Sequence, residues 1–161
     1  MAEMFLKLDG IDGESLDSTH GNEIEIQAWD WETLNTVRWD INQGGQSTKV
    51  AVGEITIHKM CDKASVTLYQ CCVTGKHIKS ATITCRKNDG DQKVEYLIMK
   101  LTDLMITKVR FDGDGGEQSL KEQVGLAFAK FRMDYKVQND TGSAGGAKSY
   151  EFDIQKQTGS T

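Results

Sequence analysis

The chain has 161 residues, 38% of them hydrophobic, and carries a formal net charge of −5 at pH 7. We expect residues 1–161 to form one domain, because this length suits a single core. Lys and Arg are interspersed among Asp and Glu, which argues against binding of nucleic acid or of an anionic membrane, since either needs clustered cations. No apolar run approaches the roughly 20 residues of a membrane-spanning helix.

The N-terminal segment alternates from its first residues. Met4, Leu6 and Leu8 fall on one face of a strand, and the segment lacks the basic region, apolar core and cleavage site of a signal peptide. We therefore expect the protein to be made in the cytoplasm and to leave the cell, if it does, in folded form. The cysteines suit that compartment, because none shows a CxxC spacing: Cys61, Cys71, Cys72 and Cys85.

Period-two alternation recurs along the chain and predicts antiparallel strands with one face in a core. It is clear in residues 24–28, 81–86 and 150–155. In the middle one of these, the apolar set is Ala81, Ile83 and Cys85, and the polar set is Thr82, Thr84 and Arg86. Glycine-rich polar segments between the strands predict loops, among them residues 9–22, 42–46, 112–117 and 139–148.

One helix is predicted over about residues 62–74. Ala64, Leu68, Cys71 and Cys72 recur at helical spacing and form one stripe. Asp62 is suited to cap the first turn, and glycine at position 75 can end the helix in the left-handed conformation.

Two longer segments differ from half-buried strands. Residues 94–99 place apolar side chains on both faces, and residues 124–137 change apolar parity, which predicts a β-bulge. Burial on both faces favours a second contact surface, such as a partner subunit. The pattern as a whole predicts a mainly β protein, a compact antiparallel β-barrel with one short flanking α-helix.

The groups capable of chemistry favour structural interpretations. Cys61 near His58 lacks the third group of a catalytic triad, and residues 112–117 lack the twelve-residue spacing of an EF-hand. Glu14, Asp17 and His20 share a loop without a diagnostic metal-ligand spacing. We therefore predict no catalytic residue, no metal site and no cofactor.

Short motifs along nearly the whole chain resemble the haemolysin-coregulated protein (Hcp) family. They begin with Met4-Phe5-Leu6-Lys7, residues 10–15 and Trp29-Asp30-Trp31, and continue through Asp62-Lys63-Ala64-Ser65 into the predicted helix. Residues 83–87, 94–98, 115–117 and 124–128 extend the likeness, and Asp134-Tyr135 completes it. The ordered set is far more specific than any one motif.

This resemblance implies a structural protein of the type VI secretion system rather than an enzyme. Six copies would form a ring, rings would stack into the inner tube, and contraction of the surrounding sheath would expel that tube. The implied partners are further copies of the chain, the sheath and spike proteins, and effector proteins in the lumen.

Three sets of residues are candidates for these contacts. The resemblance places a loop that reaches the next ring at Asn42, Gln43, Gly44, Gly45 and Gln46. The segments with apolar residues on both faces supply candidates for the lateral interface: Tyr96, Ile98, Phe131, Met133 and Tyr135. The alternating polar face supplies candidates for the lumen: Thr82, Thr84 and Arg86.

Two other functions are weighed against the ring. A small-ligand-binding β-barrel would need a large apolar interior, which the aromatic content of 7% does not favour. A hydrolase using Cys61 or an acidic pair has no supporting spacing.

Overall fold

The computed structural model describes residues 3–40, 44–89, 92–116, 118–138 and 144–161. Within these ranges it has one helix, α1, at Ala64–Thr74. The strands are β1 Glu3–Leu8, β2 Ile24–Ile26, β3 Ala28–Asp40, β4 Gly44–Met60, β5 His77–Asp89, β6 Gln92–Asp112, β7 Lys121–Gln138, β8 Ala144–Asp153 and β9 Thr158–Ser160.

All strand pairs are antiparallel, and the main path runs β2-β1-β5-β6-β7-β4-β3. β8 pairs with the C-terminal half of β7, and β9 pairs with β8. Only Gln27 separates β2 from β3, and its N–H donates to the carbonyl of His58 at 2.8 Å. The chain itself therefore joins the two ends of the path, so the sheet wraps around its core. The predicted mainly β, antiparallel barrel with one helix is confirmed.

Rows of apolar side chains fill the inside of the sheet. Leu6 pairs with Ile83, Ile83 with Met99, and Met99 with Met133, which sets four strands in one register. The first three are at most 1% exposed. Each such side chain contributes about 1.5–3 kcal/mol by leaving water. The interior is packed with side chains, which counts against the ligand-binding barrel.

Helix α1 begins two residues after its predicted start. The N–H of Ala64 donates to Asp62 Oδ1 at 3.0 Å, and Gly75 ends the helix with φ 65°. The predicted stripe is confirmed at Ala64, Leu68 and Cys71, which are buried, whereas Cys72 is only partly buried. The helix packs this stripe against the core beside β6.

The change of parity in β7 has a different cause from the predicted one. Register with β6 is unbroken from Leu126 to Tyr135, so the bulge prediction is wrong there. Instead β7 exchanges neighbours: it pairs with β4 up to Leu126 and with β8 from Lys130 onward. Opposite this exchange, Asp103 of β6 takes a left-handed φ of 54°. Both strands thus turn a new face to the core at the same place.

Candidate assembly surfaces

The paired strands β3 and β4 extend beyond the rest of the sheet and form an arm, defined here as residues 32–40 and 44–53. β7 pairs with β4 only between Ile55 and Met60, so the arm strands pair only with each other among the described residues. Three large apolar side chains on the arm are exposed: Leu34, Val37 and Trp39, the last at 80%.

Two glycines let the arm form. The Trp31 indole N–H donates to the carbonyl of Gly53 at 3.0 Å at the base of the arm, where a Cβ on Gly53 would lie 2.7 Å from the Glu32 carbonyl oxygen. Near the tip, the Trp39 ring covers Gly45 so closely that a Cβ there would lie 2.8 Å from it. Glycine at these positions therefore permits the close approach of the two strands and of the indole ring.

The predicted stacking loop coincides with the tip of this arm. Asn42 and Gln43 lie outside the described residues. Gly44, Gly45 and Gln46 belong to β4 and pair with β3, so the loop prediction is wrong for these three. The cause is local, because β-forming residues at positions 36–39 extend the strand pairing as far as the pair of Asp40 with Gly44.

The lateral-interface candidates do not share one surface. Ile98 pairs with Asp134, whereas Met133 pairs with the buried Met99, so Ile98 and Met133 lie on opposite faces of the sheet. Phe131 is only 6% exposed and packs against Trp31, with ring centroids 4.9 Å apart. Its place is the core, and the expectation that it contacts another subunit is wrong.

Of the remaining lateral candidates, Tyr135 is the most exposed, at 45%. Met133 and Tyr96 are partly buried against the core. Tyr96 also lies beside the buried Cys85 thiol, whose pKa is raised by burial. For Tyr96, Ile98, Met133 and Tyr135, a place in the lateral interface stays a prediction.

The lumen candidates differ in exposure. Thr82 is partly exposed, but Thr84 and Arg86 are only 4% and 3% exposed, so an open polar face is wrong for both. The loop of residues 9–23 folds over this part of the sheet. Arg86 donates to Glu3 Oε2 at 2.6 Å and to Asp17 Oδ2 at 2.5 Å. The guanidinium holds the pKa of the Asp17 carboxyl well below its usual range.

His20 completes this loop network, defined as Glu3, Asp17, His20 and Arg86. Its ring stacks on Phe5 with centroids 4.4 Å apart. Its Nδ1 lies 2.9 Å from Glu23 and its Nε2 lies 3.1 Å from Glu95. The Phe5 ring also contacts the Arg86 guanidinium, whose carbon is 4.9 Å from the ring centroid. The role of Asp17 and His20 is thus to hold the loop to the sheet, and not to bind a metal ion.

A second ionic network, which the sequence analysis missed, lies at the start of α1. Lys59 Nζ donates to Glu122 Oε2 at 2.7 Å and to Asp62 Oδ1 at 2.9 Å, and the side chains of Lys59 and Glu122 are 0% exposed. The Ser65 hydroxyl donates to Glu122 Oε2 at 2.6 Å. This helix-start network, comprising Lys59, Asp62, Ser65 and Glu122, ties α1 to β4 and β7.

A signal for it was present in the sequence. Lys59 continues the inward alternation of Ile55 and Ile57, and Glu122 precedes Val124 and Leu126 in the same way. A Lys and a Glu at core positions of two strands are costly unless they pair. The motif residues Asp62 and Ser65 are thus the polar partners of a buried ion pair.

The contacts of His58 do not support a role as the base for Cys61, the possible nucleophile. His58 Nε2 lies 2.8 Å from Asp30 Oδ2, and Cys61 is a partly buried free thiol at the end of β4. Within the described ranges, no group of three or more His, Cys, Asp or Glu residues is placed to hold a metal ion. In the same ranges, no helix is both long and apolar enough to cross a membrane.

Residues 5–135 match the family model described as "Type VI secretion system effector, Hcp". The chain belongs to the Hcp family. It is 37% identical to "Protein hcp1" of Pseudomonas aeruginosa over 155 residues, which covers 96% of each chain. The family consists of secreted type VI proteins with a structural role, not of enzymes.

Solved structures place the fold in the same family. The crystal structure of Hcp1 from Salmonella typhimurium is 33% identical, with a TM-score of 0.79 and 98% of each chain covered. The solved structure of a type six secretion system protein is 25% identical, with a TM-score of 0.92, and the match covers 99% of this chain and 100% of the other. The Hcp resemblance drawn from the sequence motifs is therefore confirmed over nearly the full length.

Proposed function

We propose that this Hcp-family chain is the repeating subunit of a type VI inner tube. Residues 1–161 act as one domain, six copies close into a ring, and rings stack into a tube that sheath contraction expels. The lumen carries and shields effector proteins, and the end of the tube meets the spike. The chain is made in the cytoplasm and secreted with the tube. Full-length similarity to Hcp proteins supports this proposal most strongly.

The exposed apolar surfaces of the chain suit a ring. A closed ring of identical subunits needs two different patches on each copy. One such patch is the arm, with Leu34, Val37 and Trp39. Another is the outer side of α1, where Val66 and Val73 are 79% and 70% exposed. These patches lie on separate elements, as a head-to-tail contact requires.

Unpaired strand edges offer a further route to assembly. Beyond the body of the sheet, β4 pairs only with β3 among the described residues, so the other edge of β4 faces no further strand in the described chain. The edge of β8 at residues 146–150 is likewise unpaired in the described chain, since β9 pairs only with Glu151–Asp153. A free edge invites pairing with another chain. Tyr135, the lateral candidate that we retain, lies near this second edge, and so does the exposed Tyr150, which we add to it.

Native mass separates the tube from its alternatives. We expect the purified full chain to have about six times the mass of one copy and to appear as rings by electron microscopy. A chain that stays monomeric across micromolar concentrations by light scattering would contradict the ring.

The far end of the arm, at residues 42–46, is proposed to reach the next ring, whereas Leu34, Val37 and Trp39 are proposed to contact the neighbouring copy within the ring. Replacing residues 41–47 with a tight Asn-Gly turn should leave the native mass unchanged and abolish appearance of the protein in the culture supernatant. Normal export of this variant would rule out a stacking role. Loss of the ring would assign the far end of the arm to the lateral interface as well.

A further inference from the structure

One row of side chains crosses the outer face of the sheet, on the side opposite the core. Lys7 pairs with Thr82, Thr82 with Lys100, and Lys100 with Arg132. Directly opposed residues on neighbouring antiparallel strands point to the same face. Each member follows or precedes a buried residue of the inner rows, such as Leu6 before Lys7. We call these four residues the basic row.

The cations of the basic row lie close to one another. Lys100 lies directly opposite Arg132, and like charges in such a pair are destabilising. Neighbouring strands are about 4.8 Å apart, so Lys7 stands only about 10 Å from Lys100. Both lysines are exposed. A fold that keeps exposed like charges this close is suited to an anionic partner that lies across them.

The carboxylates on this face pair with Arg132 rather than with Lys7 or Lys100. Arg132 contacts Asp134 at 3.1 Å and Glu151 at 3.6 Å, and Glu151 also pairs with Lys130. The Asp134 pKa is lowered chiefly by the Ser149 hydroxyl and Arg132, and further by the charge of Lys100. Yet Lys7 and Lys100 form no salt bridge with any residue in the described part of the chain.

Resting on the tube function proposed above, we infer that the basic row binds acidic side chains on the surface of a carried protein. A passenger must be held and later released, and screened polar contacts suit reversible binding better than large apolar ones. The chain's exposed apolar patches lie elsewhere, on the arm and on α1. This favours a passenger over a second copy as the occupant.

The row suits a protein better than a nucleic acid. Asp134 and Glu151 lie on the same face beside Arg132 and interrupt the cations. A phosphate backbone presents a continuous line of charge and would meet these carboxylates. Separate carboxylates on a folded protein can instead align with Lys7 and Lys100 alone.

The test uses the full chain and two fluorescent probes in anisotropy titrations at low salt: a labelled peptide whose glutamates are separated by Gly-Ser spacers, and labelled oligothymidylate. We expect the spaced-glutamate peptide to bind and Lys100→Glu to weaken that binding at least about tenfold, which corresponds to about 1.4 kcal/mol. Lys100→Gln should have a smaller effect. The matched control is Lys63→Glu, which makes the same charge change at the exposed start of α1 and should leave binding unchanged.

Several results would overturn the inference. The first is that the parent and Lys100→Glu bind the acidic probe equally well. The second is that Lys63→Glu loses as much binding as Lys100→Glu. The third is that the parent binds oligothymidylate as tightly as the acidic probe. A lower thermal midpoint in Lys100→Gln would indicate a structural role, because removing a like charge should not destabilise the fold. Loss of the ring in Lys100→Glu would assign the row to a second copy. If the parent chain is monomeric and still binds the acidic probe through Lys100, the proposed tube function would be wrong, whereas binding by the basic row would be supported.

Discussion

The helix-start network and the loop network both place a cation on a strand, but at different depths. Lys59 faces the core, and its partner Glu122 is also 0% exposed. Arg86 faces the outer side of the sheet, where its partners Glu3 and Asp17 are 37% and 13% exposed. In one case an ion pair joins a helix to two strands inside the fold. In the other it fastens a loop over the sheet.

The difference shows how exposure of the partner determines what an ion pair contributes. Glu122 has no access to water if Lys59 is removed, and its Oε1 already has no hydrogen-bond partner among the described residues. Glu3 can return to solvent if Arg86 is removed. We therefore expect a global loss of stability from the first network and a local loosening from the second.

The largest effect is expected from Lys59→Met. The substitution keeps the apolar stem but leaves Glu122 buried without its cation, so the free energy of unfolding should fall by about 3–5 kcal/mol. Urea denaturation followed by circular dichroism measures this.

Its control is the double variant Lys59→Met, Glu122→Leu, which removes both charges. We expect it to regain much of the lost stability, because an apolar pair of similar volume often replaces a buried ion pair at little cost. A double variant less stable than the single one would show that packing, and not the unpaired charge, dominates.

Arg86→Met should cost less, about 1.5–3 kcal/mol, the range for hydrogen bonds to charged groups. Hydrogen exchange should rise in residues 12–23, which Arg86 and its partners hold to the sheet, and stay slow in the core strands. Exchange that rises equally in β6 and β7 would contradict a local role.

Much of this architecture follows from alternation in the sequence. Residues such as Leu6, Ile83 and Cys85 have one buried face and one wet face, and period two identifies them without further information. The helix was found because Leu68 and Cys71 repeat at helical spacing and Gly75 ends it. Its start was misplaced by two residues, because Asp62 bonds the first turn from outside the helix.

The contact surfaces were harder to predict, because a strand pattern does not show what covers its second face. Thr84 and Arg86 alternate like exposed residues, yet the loop of residues 9–23 buries them. Phe131 was assigned to an interface on parity, whereas the exchange of β4 for β8 turns it into the core. Both outcomes depend on contacts between residues far apart in the chain.

Acid should loosen the loop network. The pKa values of Glu3 and Asp17 are lowered, chiefly by hydrogen bonds from Arg86. Carboxyls with a lower pKa in the folded protein than in the unfolded chain stabilise the fold fully above their ordinary pKa near 4, and lose that contribution as the pH falls further. We expect exchange in the loop to rise between pH 4 and lower pH, and this pH dependence to be flatter in Arg86→Met. Equal dependence in parent and variant would contradict it.

The smallest effect is expected from Phe5→Leu, which tests the apolar part of the loop network. Phe5 is 4% exposed, and its ring contacts both His20 and Arg86. Leucine keeps most of the burial but loses the ring contacts, which are worth about 0.5–1.5 kcal/mol. Phe128→Leu is the matched control, because Phe128 is also buried but has only aromatic neighbours among its ring contacts. Both variants should lose similar stability in urea, yet only Phe5→Leu should speed exchange in residues 12–23. Faster loop exchange in both would mean that the loop responds to overall stability, and would remove the distinction between a local and a global network.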